Sequence, residues 1–423
     1  MQTKHNFSSV IQKFEHLTFF LFSLSIFISK AGLNIALVLA LILMIVKTLT
    51  QPEFKAFLTT NKVARLSLIC FVVGLIAGLL SPSHLKGMGN FFNKAGFLLI
   101  FPLFISYFSN AKNRRYAIIA MLAGFAIALL YSLSLFLSFD HWRGQRVASF
   151  WTVGRWAELL IYMSLLCVVW LTKRKNNTWE YLALLATLIV AVFCIAINGS
   201  RAAFLALGLI LPVYFLFNKK KVILPAILFG FIATVAVYFV APSVVKQAET
   251  RIVSITDTEK NMSNTARLTS WKEGILFQLK TIEEEPITYM TGYGVNGFDQ
   301  QLKQFLIDKG IFQHLMESTD NQFSYNDHHN GLLNIISTSG IVYSAIFVYL
   351  LVVIFKSLPG DDCWLVFCRY LMMTFLLVSI FYTNFMDFQT IGVFFMLAIG
   401  LGIQVEQRAV SYTHLTLPTI NWV

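Results

Sequence analysis

Long apolar runs separated by short polar connections recur along the chain, each near the roughly 20 residues that a membrane-crossing helix needs. The pattern predicts spans near 15–30, 32–49, 63–81, 93–109, 116–138, 156–172, 179–197, 202–218, 222–241, 330–355, 363–384 and 389–404. The second and third contain almost no polar atoms. From 242 to 329 the pattern changes to a polar segment with one helical signal of its own. There Ser263 or Asn264 can cap a helix whose apolar positions Leu268, Trp271, Ile275, Leu279 and Ile282 recur at spacings of three and four, with Arg267 in its first turn. Glu283, Glu284, Glu285 and Pro286 predict its end. The chain thus reads as an all-α polytopic membrane protein of about 12 transmembrane helices: 1–241 for the first nine, 242–329 for a large loop containing helices, 330–410 for the last three. No repeat of 20 to 50 residues is visible. The first apolar run follows a polar opening and precedes no small-residue cleavage site, so it reads as a retained helix.

Charge adds orientation. Hydrophobic residues make up 57% of the 423 positions and charged residues 13%, well below the roughly 25% of a soluble domain. The net charge of +12 does not point to nucleic acid, because the cations sit in short runs between apolar stretches. Every second connection is basic: Lys47, Lys55 and Lys62; Lys112, Arg114 and Arg115; Lys173, Arg174 and Lys175; Lys219, Lys220 and Lys221; then Lys356. By the positive-inside rule these face the cytoplasm, and the 242–329 loop faces the other side. That loop carries 12 acidic against 8 basic residues, a net of −4, while the rest of the chain carries +16. The outer connections hold isolated Lys30, Lys86 and Lys94 and a trio, Arg143, Arg146 and Arg155. Five cysteines, Cys70, Cys167, Cys194, Cys363 and Cys368, lie in or beside apolar runs and imply no disulfide framework.

Charges at membrane depth are expensive and are read first as functional. Arg201, in the turn Asn198-Gly199-Ser200-Arg201, sits where positive-inside logic disfavours a cation; the bland alternative is a snorkelling side chain. Arg267, near a helix N-terminus, can share an anion with the backbone there, or can be solvated or stacked on Trp271. His329, where the loop re-enters the membrane, suits proton exchange near neutral pH, or is an interfacial histidine like its neighbour His328. A metal cluster of His314, Asp320, Asp327, His328 and His329 lacks the usual ligand spacing. No phosphate-binding or dinucleotide glycine loop is present, and no Asp-x-Asp pair or transporter-like pair of broken helices is evident.

Three segments in order resemble the O-antigen ligase and polymerase family of bacterial membrane glycosyltransferases. NGSRAAFLAL (198–207) is similar to its Ser-Arg-small-small segment. ARLTSWKEGI (266–275), with Pro286, Gly292, Gly294, Gly297 and Phe298, resembles its Arg-x-x-x-Trp…Pro…Gly-x-Gly…Phe stretch, though longer between Pro286 and Gly292. HHNGLLNIISTSGI (328–341) resembles its His-Asn signature. The resemblance implies a GT-C-like, metal-independent, inverting transferase of the inner membrane. Its donor would be an undecaprenyl diphosphate-linked glycan, its acceptor lipid A-core, and its active site periplasmic, with membrane lipids as surroundings and no cofactor. A diphosphate leaving group needs cations and an attacking hydroxyl needs a base. Arg201 and Arg267 are therefore expected to hold the diphosphate and His329 to take the proton. His328, Asn330, Trp271, Arg155 and Asp387 are expected to support them, with Asn330 fixing the imidazole. A polymerase extending the same lipid-linked glycan is the alternative within the family. A transporter or flippase of lipid-linked sugars, or a structural assembly protein, is the alternative outside it. Residues 411–423, SYTHLTLPTINWV, resemble a translated sequencing-adapter tail and are set apart, with the true C-terminus expected to be missing.

Overall fold

The computed structural model describes residues 2–219, 221, 238–239, 242–256, 262–321, 323 and 325–416. The expected ninth span, 222–241, apart from 238–239, and the last residues of the tail, 417–423, lie outside them. Among the described residues every element is helical. The first ten helices are α1 (Gln2–Ile28), α2 (Lys30–Thr50), α3 (Pro52–Thr60), α4 (Lys62–Leu80), α5 (His84–Ala95), α6 (Phe97–Phe108), α7 (Ala111–Leu137), α8 (Val153–Lys173), α9 (Thr178–Asn198) and α10 (Arg201–Asn218). The loop region contributes α11 (Pro242–Thr256), α12 (Met262–Glu284), α13 (Pro286–Thr291), α14 (Phe298–Asp308) and α15 (Phe312–Ser318). The last are α16 (Gly331–Lys356), α17 (Cys363–Ser379) and α18 (Phe388–Thr416).

Ten of these stretches are long and apolar enough to cross a membrane, and α17 is a shorter apolar helix. Two boundaries differ from the pattern reading. The fourth span begins at His84, nine residues before the expected start, because α5 and α6 run on as one rod across Gly96. The span expected over 363–384 stops at Ser379, and the chain then makes a short 3-10 turn, Asn384–Met386, before α18. Helix ends follow local chemistry: Asn61, Asn110, Asn177 and Asn330 cap α4, α7, α9 and α16 by accepting backbone N–H groups.

Successive spans alternate in direction, so the cations sort to two ends. The lower end holds the basic connections and pairs them: Lys47 with Glu15, Arg114 with Glu406, Lys173 with Asp361, Arg174 with Glu180. The upper end is where α2, α8, α10, α16 and α18 begin. The core between is aromatic, with Phe19, Phe22, Phe104, Phe108 and Phe395 meeting edge to face or stacked, and α8 and the first part of α18 nearly enclosed.

The loop region is anchored into the bundle by backbone. Helix α16 breaks at Gly340 (φ 77°, ψ 168°). Into that break comes the turn after α13: Tyr293 N–H donates to Ser337 O and Gly294 N–H to Thr338 O, both at 2.9 Å. Gly292 (φ 78°) and Gly340 face each other so closely that a Cβ on either would overlap the opposing backbone. The carbonyls of this turn are held from α4–α5: Ser83 Oγ donates to Tyr293 O and Asn90 Nδ2 to Val295 O. Irregular backbone at membrane depth is tolerable because these partners satisfy it.

Candidate functional site

The site is assembled at the upper end. Gly199 closes α9 in the left-handed region (φ 63°), and Arg201 opens α10 two residues later. Asn198, buried, donates to Val147 O and Val153 O, pinning the α7–α8 connection beneath this corner. Arg201 Nη1 donates to Asn264 Oδ1 at 2.8 Å, and Asn264 Nδ2 donates to Ser254 O, so α10, α11 and α12 meet there. Arg201, Arg267, Asn264, Leu268, Trp271 and Phe381 line a cavity of about 170 Å³ with one wall from Ala202 and Leu205. The two arginines singled out from sequence are thus brought to one space. A larger cavity of about 370 Å³, on α3 and α4 at the other end, is apolar apart from Thr59 and Arg65.

Two expectations about Arg267 change. Helix α12 starts at Met262, so Arg267 is in its second turn rather than its first, and the free N–H groups of the terminus are not its neighbours. Its guanidinium lies over the ring of Tyr382 at 5.8 Å rather than over Trp271. Tyr382 in turn reaches the Ser200 hydroxyl at 3.1 Å, one residue from Arg201. The apolar positions Leu268, Ile275, Leu279 and Ile282 point outward and are exposed. The inward side of α12 is Ala266, Ser270, Glu273, Gly274, Phe277 and Gln278, small or polar apart from Phe277, and a Cβ on Gly274 would stand 2.6 Å from His328 Nδ1.

Two further arginines join the first pair. Arg146 Nε donates to Asn198 O. Burial pushes its guanidinium below the ordinary range, and the charges of Arg251 and Arg267 push the same way against the pull of Tyr382. Arg251, on α11, comes close enough to Gly199 that a Cβ there would be 3.5 Å from its Nε. Sequence reasoning missed Arg251 because a cation on a polar helix is ordinary. Arg146 it saw only as one of a trio.

The histidines divide. His328 is buried, stacked on Phe298 at 4.9 Å, with Nε2 2.8 Å from Ser337 Oγ. Ser337 has one hydrogen and three partners, Leu333 O, Gln278 Nε2 and His328 Nε2. Burial pushes the His328 imidazole down to about 4 despite the Asp327 charge, so it is a neutral core residue and not the interfacial one expected. His329 is the accessible one, held in the left-handed region (φ 48°), its side chain 32% exposed. Its Nδ1 is 3.0 Å from Asp327 Oδ1, and its backbone N–H donates to the same oxygen at 2.7 Å. Burial alone raises the Asp327 carboxyl, but the bonds and charge of His329 outweigh it and hold the group below its ordinary range. Asn330 was expected to fix the imidazole; its side chain instead caps α16 and reaches Ile380 O. The carboxylate two residues before His329 takes that place. Trp271 Nε1 donates to His329 O at 3.3 Å, joining the histidine to the arginine cavity.

Of the other supporting residues, Arg155 and Asp387 meet each other, Nε to Oδ2 at 2.8 Å, at the heads of α8 and α18. Among the described residues no three His, Cys, Asp or Glu side chains stand close enough to hold a metal ion.

Residues 185–348 match the family model described as O-antigen ligase. No curated protein matches the chain. The matched stretch runs from α9 into α16 and contains Arg201, Arg267, His328, His329 and the glycines that seat the loop in the broken helix. A glycosyltransferase-like function of the O-antigen ligase or polymerase type, in a multi-pass membrane protein, goes with that match. Over residues 185–348, rather less than half of its length, the chain is similar to the O-antigen ligase family.

Proposed function

We propose that the protein is an O-antigen ligase that moves a glycan from undecaprenyl diphosphate to a sugar hydroxyl of lipid A-core at the periplasmic face of the inner membrane. Arg201 and Arg267 hold the diphosphate, whose charge grows as the glycosidic C–O bond breaks; planar guanidinium forks pair well with phosphate oxygens. Arg146 and Arg251 add to the same field. His329 takes the proton of the acceptor hydroxyl while Asp327 orients its ring and stabilises the imidazolium that forms. The hydroxyl oxygen attacks the anomeric carbon opposite the leaving diphosphate and inverts it. The observation that carries this reading is the single cavity shared by two arginines and by Trp271, whose indole binds the backbone of His329.

The test incubates the purified protein with lipid-diphosphate glycan and lipid A-core, with and without a chelator. Transfer unaffected by chelation supports the proposal. Elongation of the donor glycan without transfer to lipid A-core would make the protein a polymerase instead. Sidedness has its own check in spheroplasts. A cysteine at Asn176 is expected to resist an impermeant thiol reagent while cysteines in 242–329 react; reaction of both from outside contradicts the orientation.

A further inference from the structure

A second group of cations stands at the upper end, outside the arginine cavity. Lys30, the first residue of α2, has its Nζ 4.7 Å from the centroid of the Phe388 ring. Lys94, near the end of α5, is 5.9 Å from the same ring, and the Arg155 guanidinium, from the first turn of α8, is 5.4 Å from it. Four helices far apart in sequence therefore converge on one aromatic side chain with three positive charges. Points that close to one centroid are no more than ~12 Å apart, a separation over which like charges at a protein surface still repel.

Among the described residues the carboxylate that pairs with this group is that of Asp387, and it is committed. Asp387 accepts from Arg155 Nε with Oδ2 and from the Phe388 backbone N–H with Oδ1. Neither Lys30 nor Lys94 pairs with a carboxylate among the described residues. Lys30 also stands at a helix N-terminus, where the macrodipole disfavours a cation. One ring face offers only weak compensation for three cations. Each lysine is out of place by loop charge, and together they leave a surplus of positive charge at one point.

We propose that Lys30, Lys94 and Arg155 form a second anion subsite over Phe388, which takes a phosphate group carried by the acceptor lipid and not the donor's diphosphate. This rests on the transferase reading above. Its position supports that assignment: Gly154, just before Arg155, lies against Tyr382, where a Cβ would be 3.4 Å from the ring, and the Arg267 guanidinium is 5.8 Å from the centroid of the same ring. One tyrosine is thus a neighbour both of Arg267 and of the residue next to Arg155. A transferase must bring two lipids to one reacting centre, and two anion subsites that share a tyrosine neighbourhood suit that need. A phospholipid headgroup of the surrounding leaflet offers the same chemistry, so the source of the phosphate is decided by experiment.

Full-length protein in zwitterionic nanodiscs is compared with Lys30→Gln/Lys94→Gln and with Lys30→Arg/Lys94→Arg, the second retaining the charges. With phosphorylated lipid A-core, KM for the acceptor is expected to rise about 10- to 100-fold in the Gln pair and to stay near wild type in the Arg pair. With the same acceptor treated with phosphatase, the Gln pair and wild type should coincide, and KM for the donor should not move. A second arm needs no turnover: native mass spectrometry counts retained phosphorylated lipid A-core and retained phosphatidylglycerol. Loss of lipid A-core in the Gln pair supports the acceptor assignment even if transfer is never observed, which separates this inference from the transferase reading. Loss of phosphatidylglycerol alone keeps the phosphate subsite but overturns the acceptor as its source. Unchanged retention of both lipids overturns the subsite.

Discussion

The two ends of the helical bundle use positive charge in opposite ways. At the lower end each of several cations faces a carboxylate, as in Lys47–Glu15 and Lys173–Asp361. At the upper end cations gather near one another: Arg201 and Arg267 on one cavity with Arg146 and Arg251 behind them, and Lys30, Lys94 and Arg155 around one ring. Pairing neutralises charge and fixes helix ends, so lower-end lysines and arginines serve topology and, weakly, stability. Gathering like charges costs free energy, and a bound anion would offset that cost. The difference separates paired cations from the gathered cations proposed to act on a ligand, although all are Lys or Arg.

The comparison is broken most readily at His329. His329→Ala is expected to lower turnover about 10²- to 10⁴-fold while donor binding is kept, because the arginines remain; near-normal turnover in a reconstituted assay would remove it as the base. Next come the arginines. Arg201→Ala or Arg267→Ala is expected to cost about 2–5 kcal/mol of transition-state stabilisation, with Lys restoring only part because it lacks the planar fork. Full activity of both Ala variants would reduce the upper cluster to ordinary membrane-edge charge.

His328 sharpens the contrast through stability. Its folded pKa of about 4 lies below the ordinary histidine value near 6.5, so between those pH values the unfolded chain binds the proton and the folded one does not. The contribution is fully present above about pH 6.5 and is lost as pH falls toward 4, amounting to about 3 kcal/mol. The thermal midpoint in nanodiscs is expected to fall across that window and to flatten there in His328→Gln; an equal slope in the variant would contradict a buried neutral role. The smallest effect belongs to the lower end. Glu180→Gln, which removes a half-exposed partner 3.8 Å from Arg174, is expected to change stability by less than about 1 kcal/mol and leave transfer intact. A large loss of transfer there would mean that paired cations also serve the reaction.

Much of this was legible in the chain because a bilayer leaves few choices. Spans need long apolar runs and their ends need alternating charge, so the helices and the segregation of Arg201, Arg267 and His329 from the basic connections follow from the pattern. What escaped it are features set by one residue or by partners distant in sequence. The break at Gly340 is a single glycine that follows Ser337, Thr338 and Ser339 and precedes a long apolar run. The α5–α6 rod hides because polar residues of α5 dilute its first half. Tyr382 and Arg251 acquire meaning only beside Arg267 and Gly199. The support of His329 was placed on the wrong neighbour: Asn330 had a backbone to cap, and Asp327, two residues earlier, is brought round by the left-handed turn at His329 itself.

The seam between Gly292–Gly294 and the break in α16 bears on how the chain is made. As α16 leaves the ribosome, the carbonyls of Ser337 and Thr338 enter the bilayer without helical partners beyond the break. Exposed to hydrocarbon they would cost several kcal/mol. The N–H groups that satisfy them, on Tyr293 and Gly294, were synthesised 44 residues earlier, about 2–9 s before at ordinary elongation rates. The loop segment is therefore already present when the broken helix arrives and can act as its insertion template. Biogenesis of this span then depends on a segment that carries no span of its own. Lesions at Gly292 are expected to show first as protein cleared during membrane insertion, before any assay of chemistry is reached.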